Sequence, residues 1–109
     1  MRTPNVTKVC SLSDLGDRKP FAVKVGDVPV VLVRDGDEVH ALRDECSHAF
    51  QRLSEGEVTD KGIECWMHGA CFDLRTGEPS VAPGTEPVDV YRVHVEGDDV
   101  FVDAGTAVN

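Results

Sequence analysis

Two short elements carry the chemistry in this chain: Cys46-Ser47-His48 and Cys65-Trp66-Met67-His68, with the 16 residues from Ala49 to Glu64 between them. Each offers one thiolate and one imidazole, close enough in sequence to project from a single loop tip. Two such tips facing each other present Cys46 and Cys65 to one iron, and His48 and His68 to a second. Thiolates match the softness of an iron–sulfur unit, and imidazole also suits iron. One [2Fe–2S] cluster held by these four ligands is the favoured reading. Zinc accepts the same ligand types, yet its structural sites usually pair two cysteines close together and two histidines close together. The mixed pairing here speaks for the cluster, and a structural zinc-binding module without redox chemistry stands as the alternative. A Cys–His nucleophile finds no support, since nothing reads as an oxyanion-hole loop. Cys71 reads as a small buried residue behind the second loop, and Cys10 as core in an early strand.

The elements that must hold these tips are strands. Phe21 to Val25 and Val28 to Val33 are runs of β-branched and aromatic residues separated by Gly26-Asp27. The second run ends at the hairpin dipeptide Asp35-Gly36, and Glu38 to Leu42 then alternates polar and apolar. Val88 to Val95 and Val100 to Asp103 flank Glu96-Gly97-Asp98-Asp99, a further hairpin. Helical periodicity is almost absent; Ser11 to Gly16 fits one short turn after a Ser11 cap. The fold class expected is all-β, with stacked antiparallel sheets. Residues 43 to 85 break the regularity with soft ligands, glycines, Pro79 and Pro83. They read as a loop-rich, cluster-binding subdomain within a single domain spanning residues 1–109.

Cys-x-His, a spacer of this length, then Cys-x-x-His-Gly ending in His68-Gly69 resembles the signature of Rieske [2Fe–2S] proteins. The continuation from Ala70 to Pro79 is similar to the strand and turn that follow the second ligand loop in that family. Ser80 to Gly84 lies where the family places a third, proline-containing loop over the cluster, with Pro83 as its cover. The resemblance covers roughly residues 6 to 103 and implies Cys46, His48, Cys65 and His68 as the ligands of one cluster. Exchanging two thiolates for neutral imidazoles makes the cluster less negative. Potentials rise from about −400 mV in plant-type ferredoxins to roughly −150 mV or above. The ring nitrogens of His48 and His68 that do not bind iron are the electron exit the family implies.

Respiratory Rieske proteins carry an extra cysteine in each ligand loop, paired as a disulfide; the matching positions here are Gln51 and Met67. They also place hydroxyl donors to sulfur where this chain has Ala70 and Phe72. Fewer donors stabilise the reduced cluster less, so a potential near the low end, roughly −150 mV, is expected. Trp66 departs from the proline many relatives carry after the second cysteine. Of the 4 histidines, His40 and His94 remain once the ligands are set aside. Both fall in strands and read as solvent-facing or satisfied residues rather than a mononuclear iron site. No Gly-rich nucleotide motif marks a reductase. The chain resembles the stand-alone ferredoxins of bacterial ring-hydroxylating oxygenase systems, which implies one-electron transfer from a reductase to an oxygenase with no substrate turnover of its own. The tail from Pro79 to Asp103 is also similar to small actinobacterial Rieske proteins encoded near sulfur-mobilisation genes. That implies, as the alternative, an accessory role beside iron–sulfur assembly proteins.

Bulk properties agree with a carrier. At 109 residues there is room for one core, with roughly two-thirds of the unfolded surface buried. A net charge of −9, from 20 acids against 11 bases, disfavours nucleic acid and anionic lipid and suits a basic patch on a protein partner. The charge pairs around Glu55-Gly56-Glu57 and Asp98-Asp99 read as solvated turns. The first twenty residues carry six charged side chains and no apolar stretch like a signal peptide. The expectation is a cytoplasmic monomer, in which four cysteines speak for metal chemistry before disulfides.

Overall fold

Val30-Val31-Leu32-Val33 is apolar without alternation, the pattern of a strand covered on both faces. All four side chains are fully buried. The structure, a computed structural model, describes residues 6–45, 52–59, 62–64, 71–79, 87–104 and 107–108. The described residues form nine strands: β1 (Val6–Ser11), β2 (Phe21–Val25), β3 (Val28–Asp35), β4 (Glu38–Arg43), β5 (Glu57–Thr59), β6 (Gly62–Glu64), β7 (Cys71–Phe72), β8 (Val90–Glu96) and β9 (Asp99–Asp103). Six pair in the order β1-β9-β8-β4-β3-β2 and three in the order β5-β6-β7, with every ladder antiparallel. The expected all-β class is what the chain adopts.

β3 explains the two layers. Val30 and Leu32 join Cys10, Leu15, Val25, Ala41, Tyr91, Val100 and Val102 in one core to which all six strands of the large sheet contribute. Val31 and Val33 face the other way, and with Leu42 and Val90 they meet Leu53, Ile63, Phe72, Leu74 and Val88. The small sheet has strands of only two or three residues, too short for ladder bonds alone to hold it. Burial does this work instead: Leu53, Ile63 and Phe72 are fully buried, at roughly 1.5–3 kcal/mol for each side chain.

The hairpin expectations hold with one shift. Val25 pairs with Val28, Asp35 with Glu38 and Glu96 with Asp99, so each turn centres on a Gly-Asp dipeptide. Gly26, Gly36 and Gly97 take φ of 62°, 63° and 62°. A left-handed first residue followed by one of negative φ is the type II′ pattern that matches strand twist. Gly36 is therefore the first central residue, and Gly36-Asp37 rather than Asp35-Gly36 forms the centre. The strand expected from Val88 begins at Val90, because the backbones of Val88 and Asp89 are committed elsewhere. The short turn after Ser11 is a 3-10 turn over Leu12–Asp14, where the Asp14 carboxylate accepts the Ser11 N–H at 3.0 Å.

Candidate functional site

Cys46, His48, Cys65 and His68 lie outside the described residues, as do Ser47, Gln51, Trp66, Met67, Ala70 and Pro83. The structure does describe the frame that flanks them. Three segments, 46–51, 65–70 and 80–86, are each bounded by a stem whose two sides are bonded to one another.

The first stem is closed by a side chain. The N–H of Ser54 donates to Asp44 Oδ1 at 2.7 Å, and the Ser54 hydroxyl donates to Asp44 Oδ2 at 2.7 Å. Asp44 is itself pinned to the large sheet, its N–H donating to the Pro29 carbonyl at 3.0 Å. A ladder closes the second stem, with Glu64 paired to Cys71. The third is closed by the Val88 N–H, which donates to the Gly77 carbonyl at 2.9 Å, and the Phe72–Pro79 bridge ties it to the second.

These stems touch in sequence around a closed circuit. Gly56, two residues beyond Ser54, lies so close to Glu64 that a Cβ there would run into the Glu64 carbonyl. Gly62, at φ 134°, lies equally close to the Phe72 carbonyl. Phe72 leads to the third stem, and Asp89 returns to the first, its carbonyl accepting the Arg43 N–H at 2.8 Å. Both segments that carry the expected ligands thus depart from one ring of contacts, backbone throughout except for the Asp44–Ser54 link. Glu64 is covalently joined to Cys65, and Asp44 is two residues from Cys46.

The donor set suits a [2Fe–2S] cluster. Each of the two segments contains one cysteine and one histidine in sequence, and the ring sets their stems side by side, as two opposed ligand loops would require. Cys10 and Cys71 are buried, and His40 and His94 stand in strands, as the sequence indicated. Cys71 is buried, with its sulfur 3.9 Å from the Thr59 hydroxyl, and Cys10 is buried in the main core. Burial pushes the Cys10 thiol pKa up, with the nearby Asp14 and Asp98 carboxylates adding to the rise. His40 stands in β4 with its Nε2 3.2 Å from Glu38, and exposed His94 stands in β8 beside the Phe101 ring. Tyr91 is held above its ordinary pKa by burial, against the lowering effect of its hydrogen bond from Arg43.

Three features of the frame escaped the sequence reading. Asp44 carried no signal beyond standing two residues before Cys46, and Ser54 none at all. Glu55 and Glu57 are exposed, as a solvated turn implies, but Gly56 between them is a packing contact.

A family model described as the Rieske [2Fe–2S] domain matches residues 5–92. The ferredoxin subunit of anthranilate 1,2-dioxygenase from Burkholderia cepacia is 41% identical over 95 residues, covering 87% of this chain and 88% of that one. The ferredoxin component of biphenyl 2,3-dioxygenase from Rhodococcus jostii is 40% identical over 98 residues, covering 90% and 92%. Among solved structures, the ferredoxin of carbazole 1,9a-dioxygenase from Nocardioides aromaticivorans superposes with a TM-score of 0.84 at 38% identity, over 90% of this chain and 96% of that one. A chain from a complex of reduced oxygenase and oxidized ferredoxin in carbazole 1,9a-dioxygenase gives 0.88 at 34% identity, over 98% and 100%. With this match and the bonded frame around the paired Cys and His segments, the chain belongs to the Rieske [2Fe–2S] domain family and is a one-electron carrier whose cofactor is one [2Fe–2S] cluster.

Proposed function

We propose that the cluster is held by Cys46 and Cys65 on one iron and by His48 and His68 on the other, and that the chain shuttles electrons from a reductase to an oxygenase-type acceptor. The circuit of stems carries this reading, because it brings the exits of the two ligand segments together without using either segment. When bound, the cluster accepts and returns a single electron. The protein's own residues do the rest: Asp44, Ser54, Gly56 and Gly62 hold the stems, and the hydrophobic contact between the sheets packs the small sheet against the large one. The whole chain acts as a single domain, with residues 43 to 85 as its cluster-binding subdomain. It turns over no substrate of its own.

Relatives named as ferredoxin components of dioxygenases support an oxygenase as acceptor, as does the solved ferredoxin–oxygenase complex. A net charge of −9 supports docking through basic partner surfaces, with association that weakens as salt rises. Among the described residues no helix is long and apolar enough to cross a membrane. Cytoplasmic residence is proposed, with which the free, buried Cys10 thiol agrees, and the chain is proposed to work as a monomer.

The test is spectroscopic. Protein prepared without air should be brown and give a Rieske-type paramagnetic signal on reduction. Cys46→Ser and Cys65→Ser should each abolish that signal, whereas Cys71→Ala should leave it intact. Bleaching by Cys71→Ala would overturn the ligand assignment, and a colourless wild-type protein would favour zinc.

A further inference from the structure

Asp44 is 3% exposed, and among the described residues it is the one buried charged side chain. A carboxylate is costly to bury unless hydrogen bonds replace its water, and here Ser54 supplies two at 2.7 Å. Both donors lie on the far side of the first ligand segment. The clasp therefore spans residues 45 to 53 with a single pair of residues, and it is fixed to the large sheet through the Asp44 N–H. An uncharged side chain could close the same span. Asparagine would accept the Ser54 N–H with its carbonyl oxygen and donate to the Ser54 hydroxyl with its amide. Closure alone does not call for a negative charge here.

We propose that Asp44 is a positioning residue with an electrostatic role: it sets the stem of the first ligand segment, and its buried charge lowers the cluster's affinity for an electron. This rests on the assignment of Cys46 and His48 as ligands. Two residues of chain span at most about 7 Å between Cα atoms, so the Asp44 charge is tied close to Cys46. Reduction adds a negative charge to the cluster, and a fixed anion nearby opposes it. At an effective dielectric near 20, a unit charge about 10 Å away shifts an equilibrium roughly tenfold. For a one-electron couple, tenfold is about 59 mV.

The experiment uses the cluster-loaded protein and compares Asp44→Asn, Ser54→Ala and Cys46→Ser by voltammetry, paramagnetic resonance and the rate of cluster release to a chelator. Asp44→Asn should keep the wild-type signal and shift the reduction equilibrium roughly tenfold toward the reduced state. Ser54→Ala keeps the charge but loses one charge-assisted bond. It should release the cluster roughly tenfold faster while its midpoint moves much less than that of Asp44→Asn. An unchanged midpoint in Asp44→Asn overturns the proposal, and so does an equal shift in both variants, which would assign the effect to geometry. If Asp44→Asn loses its cluster, an uncharged side chain does not close the same span and the electrostatic proposal falls; Ser54→Ala then tests the clasp alone, and wild-type release would overturn that too. A Rieske-type signal surviving in Cys46→Ser would instead sink the ligand assignment, which keeps the two failures apart.

Discussion

Gly56→Ala isolates the contact between the two ligand stems. Gly56 has φ −92° and ψ −156°, an extended backbone that alanine adopts without strain. The whole penalty must therefore come from space, and the obstacle is the Glu64 carbonyl rather than a flexible side chain. Forcing one extra methyl into a packed site costs about 1–3 kcal/mol. For a domain of this length that lowers Tm by about 4–12 °C, at about 4 °C per kcal/mol. Gly36→Ala is the control, because its geometry is the reverse: open space around the new Cβ, but φ of 63°. Its dihedral cost of about 1–3 kcal/mol is similar in size. What separates the two is where the strain goes. The Gly56 clash displaces a carbonyl covalently joined to Cys65, so the second ligand segment must move with it. The Gly36 strain stays in a hairpin between β3 and β4. In paired measurements of thermal unfolding, paramagnetic resonance and chelator release, both variants should lose stability, but only Gly56→Ala should alter the signal and speed cluster loss. A Gly56→Ala protein with wild-type spectrum and release rate would refute the claim that this contact holds the two stems in register.

Protein-film voltammetry should give a midpoint near the low end of the Rieske range, roughly −150 mV, since Phe72 is buried without a hydroxyl to donate to sulfur; a strongly positive value would contradict this. Stability should fall on the alkaline side. Cys10 and Tyr91 both have pKa values raised by folding, so the unfolded chain loses protons first and gains from rising pH. The loss should begin above about pH 8.5 for the thiol and about pH 10 for the phenol. Urea titrations of Cys10→Ala should show a shallower decline between pH 8 and 10 than wild type. Glu38 takes both bonds from Arg75 at 2.8 and 2.9 Å, but the side chains are 50% and 70% exposed. Glu38→Gln should therefore cost less than about 1 kcal/mol, and calorimetry in high salt should show a smaller difference still.

The large sheet was legible because its signals are local. β9 alternates buried Val100 and Val102 with half-exposed neighbours, and a Gly-Asp dipeptide punctuates three hairpins. The unbroken apolar run in β3 likewise marked a strand, and its two buried faces account for the layering. Of the small sheet only β7 was legible, through the resemblance of Ala70 to Pro79; β5 and β6 were not, because strands of three residues leave no period to detect. What fixes them is burial of Leu53, Ile63 and Phe72 against a sheet whose other strands lie far away in sequence.

The same reasoning explains the uneven legibility of the site. The expected ligands could be named because thiolate and imidazole chemistry is written in residue type and short spacing. Their support could not, since a clasp from Asp44 to Ser54, a glycine under Glu64 and a carbonyl of Asp89 bonded to Arg43 are pairings across loops. Nothing in composition distinguishes this serine, or this glycine, from others on the surface. That division has a functional logic. An electron carrier works best when its cluster environment changes little between oxidation states, and the three stems are closed by separate bonds. Loosening one stem should therefore leave the other two standing. Single substitutions in the circuit are expected to tune the potential and retention of the cluster before they unfold the chain.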